Sequence, residues 1–217
     1  MWASVGAGAR IAEEGVTWTT ARTYFRDREL FSLTLRDRGR SPFPPFVNIS
    51  QSRTEQLLDE RIAAQPLIQV RWASEVVGID QDGDGVTLAC ATPRGRTRVR
   101  ASYALACAGA RGDAVRRMLG VRFDGHTFGD QFLICDIRAR LPGWERERRF
   151  YFDPAWNPGR QVLIHPCPGS TYRIDWQVPP GYDLDGEERS GALEGRIRRI
   201  VGDSPYEVVW RSVYRFQ

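Results

Sequence analysis

The acidic run Asp80-x-Asp82-x-Asp84-Gly85 has the residue types of a cation site, because alternate carboxylates followed by glycine open a calcium-binding loop. Such a loop closes on a bidentate glutamate at its twelfth position, and here that position is Ala91. The run therefore reads as a hairpin turn in which Asp and Gly supply positive φ. Gly6-Ala7-Gly8 has the start of a dinucleotide loop, but no strand precedes it and Ile11 stands where a third glycine is needed. It reads as small residues in a helix. The two histidines, His126 and His165, are too few and too dispersed for a metal site, and no local signature ties either to a nucleophile. His165, followed by Pro166 and Pro168, reads as structural. Cys90, Cys107, Cys135 and Cys167 lie far apart among apolar neighbours, as buried small hydrophobes do, rather than zinc ligands or disulfides. Arg111-Gly112-Asp113 spells an adhesion tripeptide and reads as coincidence. No side chain is singled out as an acid or base, and no metal is expected.

Charge narrows the partners. The net charge is +4, and all 31 basic residues are arginine, interleaved with 27 acidic ones as in Arg26-Asp27-Arg28-Glu29 and Glu145-Arg146-Glu147-Arg148. Alternating charges largely cancel at a distance, so nucleic-acid binding is not expected. With 41% hydrophobic and 11% aromatic residues in 217, the chain can bury a core. No segment is apolar for long enough to span a bilayer and no signal-peptide core opens the chain, which sets the cytoplasm as the expected location.

The elements that must hold any site follow from periodicity. Residues 2–14 read as the end of a helix stopped by Gly15, and Val16–Phe25 as a strand that turns over Arg26-Asp27-Arg28 into a second. Residues 36–48, with three prolines, form a loop. Ser52-x-x-Glu55 predicts a capping box, and Leu57, Leu58, Ile62 and Ala63 continue that helix to Gln65-Pro66. Strands are expected at Leu67–Ile79, Val86–Ala91, Thr97–Ala101 and 103–107, then a short helix around Ala114–Leu119. Further strands are expected at 128–138, Arg148–Phe152, Gln161–His165, Tyr172–Val178 and 206–216, with one helix over Glu187–Val201.

Three stretches, in this order, carry a resemblance. They are Gly15-Val16-Thr17-Trp18 through Arg22-Thr23-Tyr24-Phe25-Arg26-Asp27-Arg28-Glu29-Leu30, then Asn48-Ile49-Ser50-Gln51-Ser52-Arg53-Thr54-Glu55-Gln56-Leu57-Leu58, then Cys107-Ala108-Gly109-Ala110-Arg111 through Val115-Arg116-Arg117 and on to Phe128–Asp136. Together they resemble class A FAD-dependent aromatic hydroxylases, the flavoprotein monooxygenases that act on 3-(3-hydroxyphenyl)propionate, p-hydroxybenzoate and related phenols. The resemblance implies FAD as cofactor, NAD(P)H as co-substrate, oxygen, and an aromatic small molecule as substrate, with the protein supplying orientation and exclusion of water. It matches Gln51 to a glutamine that contacts the flavin at a helix start, Gly109 to the glycine of an Asp-Gly motif, and Arg116 to that motif's arginine, across a stretch one residue longer.

The departures are as informative. Ala108 stands where the motif has its aspartate, and neither the N-terminal G-x-G-x-x-G nor the later Gly-Asp motif is present in these residues. The resemblance then implies an α+β fold: a partial, Rossmann-like FAD-binding domain (1–15 and 51–125) beside a mostly antiparallel substrate sheet (16–50 and 126–217) with helices on one side. An internal piece of a hydroxylase, inactive as an isolated chain, is expected. A non-catalytic small-molecule-binding or partner module derived from the same fold is the alternative. The aromatics Tyr151, Phe152, Trp156 and Trp176 are candidates for one wall of a flat substrate pocket.

Overall fold

The computed structural model describes residues 1–36, 39, 41–109, 112–125 and 129–215. The chain divides into two compact units, Met1–Gln65 with Phe128–Phe216, and Pro66–Thr127.

In the larger unit, β-branched and aromatic segments pair into a seven-stranded sheet. Its strands are β1 (Thr20–Phe25), β2 (Arg28–Thr34), β6 (Gln131–Ala139), β7 (Glu147–Phe152), β8 (Gln161–Cys167), β9 (Thr171–Val178) and β10 (Tyr206–Arg215), and their spatial order is β10-β6-β9-β8-β7-β1-β2. All neighbours are antiparallel except β1 and β7. The predicted hairpin turn is present, with Arg26 at φ +53. Period-2 alternation is strict in β8 and β9, where every second residue is buried. Leu133, Cys135, Ile137, Val162, Ile164, Ile174, Trp176 and Val178 thus form one apolar face, covered by Leu193, Ile197 and Val201 of helix α5 (Ala192–Val201). Full burial of one such aliphatic side chain contributes about 1.5–3 kcal/mol. Beside this core, Asn157 is buried but satisfied: its Nδ2 donates to the carbonyls of Gln161 and Gln177, each at 3.1 Å.

The single helix expected over Glu187–Val201 is two. α4 (Leu184–Arg189) begins at Asp183, whose Oδ1 accepts from Gly186 N at 3.0 Å. Gly191, at φ +76, then breaks the path before α5, a conformation in which side chains with a Cβ are strained. Early in the chain, α1 (Gly8–Glu14) ends at Gly15 as expected and meets α2 (Gln51–Ala63) through Ala7, Ile11 and Leu57. The capping box is not made. Ser50, not Ser52, precedes the first turn of α2, and no side chain caps it.

The smaller unit holds an antiparallel sheet, β3 (Glu75–Asp82), β4 (Gly85–Thr92) and β5 (Gly95–Ala101), with helix α3 (Asp113–Met118). The Asp-Gly run is a hairpin turn, as read: Asp82 Oδ1 accepts from Asp84 N at 2.9 Å and Gly85 N at 3.1 Å. Gly85 is obligatory there, because a Cβ would lie 2.4 Å from the Ala101 carbonyl. Two strand expectations fail. β3 begins only at Glu75, and residues 103–107 pair with nothing among the described residues, leaving Tyr103 and Leu105 almost fully exposed. A strand signal is satisfied only when a second strand supplies the ladder.

Among the described residues, no helix is long and apolar enough to cross a membrane. Parts of some expectations lie outside the described residues: Ala110 and Arg111 of the third stretch (Arg111 also in the adhesion tripeptide), His126, the first residue of the strand expected from Phe128, and Phe216.

Candidate functional site

The alternation that buries Trp176 and Ile174 puts Arg173, Asp175 and Gln177 on the sheet's second face, where side chains are half-buried. Pairing then assembles a polar row from four strands. Asp136 on β6 is opposite Arg173 on β9, which is opposite His165 on β8; Trp210 on β10 continues the row beyond Asp136. The Arg173 guanidinium grips Asp136 with two parallel bonds, 2.8 and 2.9 Å. The next row carries Ile134, Asp175 and Leu163, and Asp175 lies diagonally across from His165.

On β7 and β1 the same face carries Arg148, Phe150, Phe152, Ala21 and Thr23. Trp18, Leu30, Phe31 and these residues line a concavity of about 570 Å³. Arg148 lies over the Trp18 ring at 5.8 Å, and no carboxylate is within ion-pair distance of it among the described residues. Aromatic walls with one unmatched guanidinium suit a flat ring carrying negative or polar oxygen.

Two groups in the polar row are far from their ordinary ionisation. Burial, only partly offset by Arg173, pushes the Asp175 carboxyl up to about 6, and Asp136 adds to the effect. Burial together with the Arg148 and Arg173 charges lowers His165 to about 4, so its ring is neutral at pH 7. Asp175 Oδ1 and His165 Nδ1 are closed to solvent and have no hydrogen-bond partner. Unpartnered buried polar atoms are rare in folded chains and mark where a function or a ligand is to be sought. On the covered face, Arg149 stacks on Trp144 at 3.8 Å and bonds Glu147 at 2.7 Å, which reads as support for the fold.

The residues picked from the sequence fall elsewhere. Gln51 is the first residue of α2, exposed, its Nε2 donating to Glu55 at 2.9 Å. Gly109 has φ +62 with open space where a Cβ would point. Arg116, on α3, bonds Asp113 at 2.6 Å and lies over the Phe123 ring at 4.9 Å. Gln51 belongs to the larger unit, Gly109 and Arg116 to the smaller. Of the four aromatics expected to wall a pocket, only Phe152 lines the concavity. Trp176 is fully buried in the core, with Tyr151 and Trp156 packed against it. His165 and Asp175 were not singled out as functional, although the pattern Tyr172-Arg173-Ile174-Asp175-Trp176 shows charges confined to one face of a strand.

A family model described as "FAD binding domain" matches residues 1–216, almost the whole chain. The chain belongs to the FAD binding domain family. The chain is 29% identical over 186 residues to para-nitrophenol 4-monooxygenase of Pseudomonas sp. (strain WBC-3), covering 80% of this chain and 43% of that one. It is also 29% identical over 154 residues to a 3-(3-hydroxy-phenyl)propionate/3-hydroxycinnamic acid hydroxylase of Paraburkholderia xenovorans (strain LB400), covering 70% and 24%. The chain thus spans less than half the length of these relatives. The fold is that of p-nitrophenol 4-monooxygenase PnpA from Pseudomonas putida DLL-E4 (TM-score 0.76, 21% identity, 99% of this chain and 57% of that one). It is likewise that of the flavin-dependent monooxygenase PieE, solved with FAD and substrate (TM-score 0.78, 20% identity, 99% and 40%). The expected family, and the α+β fold with its mostly antiparallel sheet, are both found.

α2 has 13 residues, and no side chain caps its N-terminus, so first-turn amides beside Gln51 are available to an anionic or polar group. The left-handed backbone of Gly109 lets another group approach the main chain without a Cβ in the way. Both features fit a flavin cofactor. Ala108 supplies no carboxylate beside it.

Proposed function

We propose that this chain is the substrate-side part of an FAD-dependent monooxygenase that hydroxylates a phenolic ring with NAD(P)H and O2. The observation that carries the reading is the second face of the large sheet, where a charged row adjoins an aromatic concavity. Family membership supplies the chemistry: bound FAD would carry the electron transfer and oxygen activation that no side chain here can perform. Gln51, Gly109 and Arg116 would hold that cofactor, and residues 1–15 and 51–125 would be the remnant of its domain. Phe150, Phe152, Phe31 and Trp18 bind the ring by apolar contact and keep water from it, while Arg148 orients an oxygen substituent. The Asp136–Arg173 pair ties β6 to β9 on the same face of the sheet. A cytoplasmic location accords with this chemistry.

The second reading is a non-catalytic small-molecule module, favoured by Ala108. Titrating the folded chain with FAD, and separately with a phenol, distinguishes the two. Saturable quenching of flavin fluorescence at micromolar protein supports the hydroxylase reading. Phenol binding without any flavin binding supports the module. Binding of neither by a folded chain removes both.

A further inference from the structure

We propose that the open face of the small sheet β3-β4-β5 binds a second copy of this chain, joined about a two-fold axis parallel to the strands. The two faces of this sheet are unlike. One carries Val76, Ile79, Val86 and Leu88, which with Val115 and Leu119 enclose a cavity of about 220 Å³. On the other, register assembles three rows across the strands. Glu75, Ala91 and Arg96 form the first, Gly78, Ala89 and Arg98 the second, and Asp80, Thr87 and Arg100 the third. The carboxylates of these rows are thus all on β3 and the guanidiniums all on β5, and every one of these charged residues is exposed. The strand between them contributes only alanine and threonine.

This arrangement is unsatisfied within one chain. The edge strands lie about 10 Å apart, two strand spacings. Only Arg100 bridges that gap, holding Asp82 at 2.6 and 2.9 Å and Thr87 at 3.0 Å. Among the described residues, Arg96, Arg98, Glu75 and Asp80 form no ion pair. The three arginines at alternate positions of β5 also repel one another.

A half-turn about an axis parallel to β4 and above Ala89 keeps each residue's height along the strand and exchanges the two edges. It lays β5 of each copy over β3 of the other. Arg96 then meets the second copy's Glu75, Arg100 meets Asp80, and both contacts occur twice, as an isologous interface requires. Arg98 falls over Gly78, where no side chain stands in its way, between Glu75 and Asp80. A half-turn about the axis at right angles to the strands would stack arginine on arginine, so charge selects the first orientation. The low floor of Gly78, Ala89 and Ala91 lets the sheets approach to the usual spacing of about 10 Å, and the reach of arginine absorbs the usual angle of about 30° between them. Three short strands make a small, polar contact, so the dimer is weak and salt-sensitive.

Sedimentation equilibrium of the folded chain, in about 0.05 M and about 0.5 M sodium chloride, tests this. At low salt the mass is expected to rise with concentration from 24.7 kDa towards twice that value. At high salt the apparent affinity falls by about tenfold or more. Arg96→Glu and Glu75→Arg should each be monomeric alone, and an equimolar mixture of the two should dimerise, because each supplies the charge the other now needs. Ala89→Arg, which sets like charges of the two copies together on the axis, should be monomeric with an unchanged circular dichroism spectrum. A native chain that is monomeric at low salt overturns the proposal. So does association that salt leaves unchanged or strengthens, which assigns the contact to exposed apolar residues such as Trp72 and Leu105. Single variants that dimerise as the native chain does, or a mixture that stays monomeric, overturn it equally. If either swapped variant fails to fold, Ala89→Arg decides alone: dimerisation as native sinks the proposal.

Discussion

Asp175→Asn offers a direct measure of how far the sheet's second face disfavours charge. The carboxyl moves from its ordinary 3.8 to about 6 on folding, with burial as the leading cause. A group whose folded value is raised contributes stability that is complete below about 3.8 and is lost as pH rises through about 6. The difference of about two pH units is worth at most about 3 kcal/mol, and water reaching the outer oxygen reduces it. Asparagine is nearly the same shape and cannot ionise, so it escapes this loss. Relative to the native chain, the variant gains stability between pH 4 and pH 8, by about 1–3 kcal/mol. His165 moves in the opposite sense, adding stability above 6.5 that is lost as pH falls through about 4. It is present in both chains, so its contribution cancels in the difference. Urea unfolding followed by fluorescence of the seven tryptophans, repeated across this range, gives the difference curve. A curve flat from pH 4 to 8, or one that falls, would refute the claim that this carboxylate is held in a site hostile to charge.

Ile197, fully buried where α5 meets the sheet, should cost about 2–4 kcal/mol when changed to alanine, read from the urea midpoint at unchanged slope. Arg173→Met removes the bidentate partner of Asp136 and the attraction that restrains Asp175. Its expected signature is an Asp175 midpoint displaced upwards from about 6 in a carboxyl NMR titration, with a stability loss of about 1–3 kcal/mol. Gly109→Ala places a Cβ on a backbone at φ +62 and should destabilise by about 1–2 kcal/mol, seen as a lower thermal midpoint. Gln51→Ala should leave the melting temperature unchanged, since it removes only an exposed pair with Glu55, while weakening FAD by roughly fivefold in a fluorescence titration. Unchanged FAD affinity would remove Gln51 from the cofactor site.

Much of the architecture was legible because its causes are local. The Asp82–Gly85 turn, the Arg26–Arg28 hairpin and the stop at Gly15 follow from residues that favour those backbone angles. The alternation of β8 and β9 announces two chemically different faces before any neighbour is known. The three motif stretches located the family, since residue order along the chain survives where overall identity is low.

What the sequence could not decide was anything that depends on which strands become neighbours. Residues 103–107 have the composition of a strand and remain unpaired among the described residues, because a ladder needs a second strand and composition cannot supply one. Trp176, Tyr151 and Phe152 look alike in the sequence, yet register sends the first two to the core and the third to the concavity. His165 looked structural while its neighbours were Pro166 and Cys167. It became part of a site only when antiparallel pairing set it against Arg173, and Arg173 against Asp136. Asp136, Arg148, His165 and Asp175 come from four strands spread over 40 residues. The perturbed ionisation of His165 and Asp175 arises from burial and from the charges of neighbouring strands, which act only in the folded sheet.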